Sequence, residues 1–494
     1  MKRCVRYLVV TLSCLLAVIT LGVVWPRARA PLPDSIDSRL IVNARILDVA
    51  NGKTLPPTRV LIERGVITAI GDGLEADSSI PLLDAGGRYL SPGFWDMHTH
   101  ALQLSPQLHL PLFVANGVTG VRDMMGCPES EDSLLACSGD KRAWTKAAAA
   151  GTMSSPRFVE LASFYFDNPE MAPDQAAALA TTYHERGVDT LKVYNRVAKP
   201  AYLRLAAEGR RIGMPLVGHL PKAVDLNEAV TAGQRSFEHA HLFVRHCFKD
   251  AAAWRSGALD GESPTRLAER MVAEYDRAAC DKVFSLLRAN GSWFVPTHVT
   301  REEDARAADP DFLADPRLEY LDPLSRWAYR DDLKATSARY PGVEGRAALR
   351  KYFDHGLALT GAAHRAGVQI LVGTDTGIGG FRYHDEMAWL VRAGMSPAAV
   401  VRAATLDAAR YAQADDRFGS IAVGKVADVV LLEANPFEAI ANTRRIWAVL
   451  LGGRLYDRDR LDSLLRFTRD QAASPANWIK LVLGFLTSPT SKEL

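Results

Sequence analysis

The sequence predicts an α/β fold: a (β/α)8 TIM barrel carrying a small composite β-sandwich domain formed by both chain ends. Three observations predict it. Residues 91–415 alternate short apolar runs with helix-like stretches, the pattern of βα units around a parallel sheet. Eight such runs can be counted, and imidazole, amine or carboxylate side chains stand at or just after the ends of five of them. Outside that stretch, residues 38–90 and 416–458 share another texture, short β-like runs broken by glycine turns.

Residues 1–30 form a targeting segment. Lys2, Arg3 and Arg6 precede an apolar run from Tyr7 to Trp25, which Pro26 closes, and Ala28-Arg29-Ala30 has the small-x-small spacing of a signal-peptide cleavage site. The run is also long enough to cross a bilayer, and Pro31 follows the cut, so a retained N-terminal membrane anchor fits as well. Either way the basic N-terminus leaves the body exported, periplasmic or otherwise extracytoplasmic. The formal charge of +2 falls to −3 without the five cations of this segment, which excludes a basic footprint for nucleic acid. Cys4 and Cys14 belong to the segment, leaving Cys127, Cys137, Cys247 and Cys280. In an oxidising compartment these suggest two bridges, Cys127–Cys137 and Cys247–Cys280, against the alternative of buried free thiols.

Next come the β-like runs Leu40-Ile41-Val42, Arg59-Val60-Leu61-Ile62 and Val66-Ile67-Thr68-Ala69-Ile70, separated by Asn51-Gly52 and Arg64-Gly65. The texture returns at 419–432 and 446–453, so one module built from both chain ends is the economical reading. Between them the eight strand candidates are Gly93–His98, Gly117–Asp123, Arg157–Ala162, Thr190–Tyr194, Leu216–His219, Ser236–His239, Trp293–Thr297 and Gln369–Gly373. In the first, residues two apart share a face, so His98 and His100 point the same way and make half of a divalent-metal site. Lys192 ends the fourth run, His219 the fifth and His239 the sixth, while Asp375 follows the eighth. A barrel gathers these strand ends into one mouth. Long connections follow the sixth and seventh strands, with helix-like text at Pro264–Arg288, Arg326–Arg339 and Arg346–Ala358, placed to form a lid or substrate pocket. Residues 459–494 are a helical tail whose apolar run, 477–486, is too short to span a membrane.

Pro92-Gly93-Phe94-x-Asp96-x-His98-x-His100, Gly117-Val-Thr-Gly-Val-Arg-Asp123, Lys192, Gly218-His219, Glu238-His239-Ala240 and Thr374-Asp375 together resemble the amidohydrolase superfamily, in its prolidase-like and imidazolonepropionase-like branch. The resemblance covers about residues 38–458. It implies that His98 and His100 bind one metal, that His219 and His239 bind a second, and that Lys192, carbamylated by carbon dioxide, bridges them. Asp375 would join the metal site, orient the attacking water and carry its proton to the leaving amine. Two divalent ions are implied; the donor set suits Zn²⁺ and accepts Mn²⁺, Fe²⁺ or Co²⁺.

The reaction so implied is hydrolysis of a C–N amide bond in a small-molecule amide, dipeptide-like or an N-acyl amino acid. A mononuclear deaminase or imidazolonepropionase-type hydrolase of a cyclic amide or amidine is the alternative, against which Lys192 speaks. A non-catalytic binding module is a remote third reading. Tyr194, two residues beyond Lys192 on the same face, and His384 are candidates for substrate contact; His241 and His298 also sit near strand ends. The other expected partners are the membrane, through an uncleaved N-terminal segment, and a second copy of the chain.

Overall fold

The computed structural model describes residues 19–75 and 77–492, with residues 7, 10, 11, 13 and 17 of the N-terminal segment. The anchor or signal peptide expected at 1–30 lies mostly outside the described residues, among which no helix is long and apolar enough to cross a membrane. Residues 19–24 are helical, and Lys480 Nζ donates to the Gly22 and Trp25 carbonyls at 2.6 and 2.8 Å. The following stretch runs along the body, where Arg27 donates to Gln103 O and Gln107 donates to Ala28 O.

In chain order the strands are β1 (Arg39–Asp48), β2 (Lys53–Glu63), β3 (Val66–Ile70), β4 (Leu82–Asp84), β5 (Tyr89–Pro92), β6 (Phe94–Thr99), β7 (Val118–Asp123) and β8 (Arg157–Leu161). They continue with β9 (Leu191–Val193), β10 (Leu216–Gly218), β11 (Ser236–Glu238), β12 (Trp293–Val295), β13 (Gln369–Ile370), β14 (Val429–Leu432), β15 (Ile446–Leu451) and β16 (Arg454–Tyr456). Strands from the two chain ends share one eight-stranded sheet, ordered β16-β15-β14-β5-β1-β2-β3, with β4 also paired to β1. The period-two pattern of β14 explains its place there. Val429 and Leu431 enter a small core with Ile41, Ile46, Val60 and Ile62, while Val430 and Leu432 join the large core of the central region.

The central region holds parallel strands in two sheets, β6-β7-β8 and β13-β12-β11-β10-β9. A parallel bridge, Ala162 to Thr190, links β8 to the start of β9, and the Met97 amide of β6 donates to Val372 O, just past β13, at 2.9 Å. Both faces of β6 and β7 are buried along their whole length, polar residues such as Asp96, His98, Arg122 and Asp123 included, as in a parallel sheet covered on both sides. Close packing at this junction requires glycine: a Cβ on Gly373 would lie 2.5 Å from Val295 Cγ1 and 2.9 Å from the His98 amide nitrogen.

The long connections are helical. After β11 come helices His241–His246, Ala251–Arg255, Pro264–Ala273 and Arg277–Ala289. The single stretch expected at Pro264–Arg288 is thus two helices, because the Asp276 side chain accepts from the Ala279 amide and starts the second. After β12, Pro323–Arg339 begins where Asp322 accepts from the Leu324 and Ser325 amides at 2.9 and 3.0 Å, with proline in the first turn. Gly342–Arg365 follows. The tail forms helices Arg458–Ala472 and Pro475–Thr487. Leu461 and Leu464 enter the large core, and Ser133 Oγ donates to Gly484 O at 3.0 Å.

Gly373→Ala should cost about 1–3 kcal/mol by overpacking. Gly71→Ala, with nothing within 4 Å of the added carbon, should be near neutral; urea denaturation of the two variants checks this.

Candidate metal centre

His98 sits near the end of β6 and is fully buried. Its Nδ1 lies 3.0 Å from Glu238 Oε2. Burial alone would raise the Glu238 carboxyl, but Arg122 and His98 outweigh it and hold it at about 2, so this oxygen only accepts. The His98 proton therefore stays on Nδ1, and the lone pair of Nε2 faces inward, 3.4 Å from Lys192 Nζ and 3.7 Å from Asp375 Oδ1. His219, just past β10, repeats the arrangement, with Nδ1 3.0 Å from Asn195 Oδ1 and Nε2 3.0 Å from His239 Nε2. His239 follows β11 and places Nδ1 2.8 Å from Thr297 Oγ1.

Asp375 closes the group. Its amide donates to His98 O at 2.8 Å, its Oδ1 lies 2.9 Å from His100 Nε2, and its Oδ2 lies 3.8 Å from His239 Nδ1. Asp96, buried on β6, accepts from the His98 amide and from both the amide and hydroxyl of Thr374, so one carboxylate fixes the two segments carrying His98 and Asp375. One donor atom each from His98, His100 and Asp375 falls within 4.8 Å of the others, a spacing that suits a cation. Backbone geometry is unusual here: His239, Thr297 and Asp375 have φ of 72, 46 and 52°, the left-handed region that non-glycine residues seldom occupy.

Burial lowers His98 to about 4, with Lys192 adding to the effect, and takes His219 and His239 well below their usual value, so all three rings are neutral at pH 7 as metal ligands must be. For Asp375, burial raises the carboxyl, but His98, His100 and His239 together hold it well below the usual range. Lys192, 2% exposed, is lowered from 10.5 to about 8 by burial, against the pull of Glu238 and Asp375. It makes no ion pair with a carboxylate among the described residues; its Nζ lies 3.4 Å from His98 Nε2.

The six residues expected to gather, His98, His100, Lys192, His219, His239 and Asp375, are all brought together. All but His239 line a cavity of about 270 Å³. Tyr194 stands at its rim with its ring 4.0 Å from that of His219. His384 does not reach it. Its helix, Phe381–Arg392, turns the ring into the protein, where Nδ1 meets Thr443 Oγ1 at 2.9 Å and Nε2 meets Asn116 O at 3.1 Å. His298 is likewise buried, against Thr360. His241 lies beside the group, its ring 5.5 Å from that of His239. The cysteines form two disulfides, Cys127–Cys137 and Cys247–Cys280. Glu238, Arg122, Asp96, Asn195 and Thr297 are the functional neighbours that sequence reasoning assigned no role.

The depressed lysine has a thermodynamic consequence. Between pH 8 and 10.5 the unfolded chain binds a proton at Lys192 that the folded chain has lost, so metal-depleted protein should gain stability as pH rises through that window. Lys192→Met should lack the rise, as denaturant titrations at pH 7.5 and 10 would show.

Residues 89–456 match the model of the Amidohydrolase family, and the family binds divalent metals. A dihydroorotase from Geobacter sp. (strain M21) is 41% identical over 61 residues, 12% of this chain and 14% of that protein, so the match spans only about a seventh of the relative's length. Among solved structures, bottromycin amidohydrolase is similar at a TM-score of 0.64 and 23% identity, covering 94% of both chains. A Xaa-Pro dipeptidase with methionine bound in its active site gives 0.57 and 18%, covering 85% of this chain and all of that one. These likenesses show an α/β fold of the TIM-barrel type. The chain belongs to the amidohydrolase family.

Proposed function

We propose that the chain hydrolyses the amide bond of a dipeptide-like or N-acyl amino acid substrate, using two divalent ions held by His98, His100, His219, His239, Asp375 and a carbamylated Lys192. Zn²⁺ suits this donor set, and Mn²⁺, Fe²⁺ or Co²⁺ are compatible with it. One observation carries the reading: neutral imidazoles converge on a buried lysine that has no carboxylate partner among the described residues. On this reading β6–β13 close as a (β/α)8 barrel of residues 91–415. Residues 38–90 and 416–458 form the composite β-sandwich domain, 459–494 the tail, and 1–30 export or anchor the chain. The Xaa-Pro dipeptidase among the structural relatives supports a peptide-like substrate.

The residues present fit such a centre. His98 and His219 have Nδ1 committed to an oxygen acceptor and Nε2 turned inward, and His100 Nδ1 is buried without a hydrogen-bond partner among the described residues. A pKa near 8 gives Lys192 a useful fraction of neutral amine, whose nitrogen adds to the carbon of CO₂ and releases a proton. The carbamate so formed supplies the anionic oxygens that four neutral histidines lack. When bound, the divalent ions would acidify the attacking water and polarise the scissile carbonyl.

The remaining work falls to side chains. Asp375, held ionised by its histidines, takes a proton from water as the water oxygen bonds to the carbonyl carbon. It returns that proton to the nitrogen as the C–N bond breaks, giving a carboxylate and an amine. Burial raises the Tyr194 hydroxyl above its usual range, so it stays protonated and can donate to a substrate oxygen at the rim.

Metal analysis of purified protein should give close to two ions per chain, and Lys192→Ala should lose metal together with activity on N-acyl amino acids, while bicarbonate during reconstitution should raise both in the parent. A single ion indifferent to Lys192 would move the reading to a mononuclear deaminase or imidazolonepropionase-type hydrolase; no metal after reconstitution would overturn both. Asp375→Asn should lower kcat by roughly 10²–10⁴.

A further inference from the structure

A second cavity, of about 900 Å³, opens beyond Tyr194, which lines both it and the metal-site cavity. Its size falls within the about 300–1,000 Å³ of ligand sites. The helices inserted after β11 and β12 roof it. Arg245 lies in the last turn of the helix His241–His246, which starts two residues after His239, and Arg301 lies in the helix His298–Ala305, which starts directly after Thr297, so both cations sit on helices that follow strand ends carrying metal-site residues.

The charges in this cavity are unevenly matched. Lys222 pairs with Asp260, Glu262 with Arg270, and Arg301 with Asp304. Arg245 pairs with no carboxylate among the described residues. It hydrogen-bonds the Tyr352 side chain and sits 5.6 Å over the Trp254 ring, half-buried. Asp332, on the roof helix, is a lining carboxylate that also lacks an ion pair among the described residues, and it faces Asp304 and Arg301. Much of the remaining wall is apolar, including Trp254, Met271 and Phe353.

We propose that this cavity receives the leaving-amine half of the substrate, with a free carboxylate against Arg245 and Arg301 and a large apolar or aromatic side chain against Trp254, Met271 and Phe353. The substrate class is then an N-acyl or peptidyl amino acid whose last residue is bulky, apolar and unblocked. This rests on the amide-hydrolase reading above. The partition follows from covalent structure. In such a substrate the carboxylate is two bonds from the scissile nitrogen, so it must lie close to the metal centre, on the side where Tyr194 gives way to the cavity lined by Arg245 and Arg301. The 270 Å³ side, walled by Met124, Met125 and Tyr165, is left for the acyl half.

The test compares N-acetyl-L-phenylalanine, N-acetyl-L-phenylalaninamide, N-acetylglycine and N-acetyl-L-arginine, read as acetate released by the metal-loaded enzyme. The phenylalanine acid should exceed the others at least tenfold in kcat/KM. In Arg245→Met the preference for acid over amide should collapse at least tenfold, chiefly through KM, with Arg245→Lys retaining part of it. Equal rates on acid and amide, or a preference for the arginine compound through Asp332, would overturn the proposal while leaving the hydrolase intact. Calorimetry with L-phenylalanine is independent of turnover: binding that weakens at least tenfold in Arg245→Met supports the cavity even if no amide is cleaved, and absence of binding to the parent overturns it.

Discussion

Arg122 is the group on which the site depends. Its guanidinium, fully buried on β7, donates to both oxygens of Glu238 at 2.9 Å, to Met97 O at 2.5 Å, to Ser236 Oγ at 2.9 Å and to the Tyr411 hydroxyl at 2.8 Å. A buried ion pair is costly to desolvate and is tolerated only when its donors and acceptors are satisfied. Here the satisfied fork also transmits order. It joins β6, β7 and β11 to the helix Leu406–Tyr411, keeps Glu238 ionised, and through Glu238 sets the tautomer and rotation of His98. Removing one partner of such a pair costs on the order of 3–5 kcal/mol. In this protein it would also release the imidazole nearest Lys192.

A second constraint acts on the main chain. His239, Thr297 and Asp375 follow three neighbouring strands, β11, β12 and β13, and each holds a left-handed backbone that costs a non-glycine residue roughly 1–2 kcal/mol. Hydrogen bonds secure the conformation: the His239 amide donates to Val295 O, and the Asp375 amide donates to His98 O. The bend turns each side chain off its strand and toward the others. His239 thereby reaches His219 on one side and Thr297 on the other. The strain is local, and the parallel sheet on either side over-determines it.

Much of this was legible in the sequence because it is written in short-range patterns. Seven of the eight apolar runs marked their strands to within two residues and the eighth, Gln369–Gly373, overran its strand by three, and the one-residue spacing of His98 and His100 placed both on one face. What escaped is tertiary. Arg122 and Glu238 are 116 positions apart, and nothing in either local sequence says that they meet. Asn195 reads as a turn residue until the fold puts its amide oxygen against His219. His384 failed for the converse reason. Its position after the last barrel strand suggested the mouth, but the rotation of its helix is set by the apolar face of Tyr383, Met387 and Leu390, which carries the imidazole inward with it.

The two halves of the site are held by different kinds of force, and this bears on how a fold keeps its chemistry while changing its substrate. The strand-end groups are locked by fully buried charge pairs and backbone bonds, where any change propagates. The roof is joined by half-exposed contacts such as the Arg270 pairs with Asp250, Glu262 and Glu274, each worth little alone. One covalent tie strengthens it. The Cys247–Cys280 bridge, spanning 33 positions, joins the end of the helix carrying Arg245 to Arg277–Ala289, and loop-closure entropy alone makes such a link worth about 3–4 kcal/mol. Arg245 thus stands two residues from a covalent anchor and a few residues from His239. The two ties restrict its position relative to the metal centre, as a carboxylate two bonds from the scissile nitrogen would require.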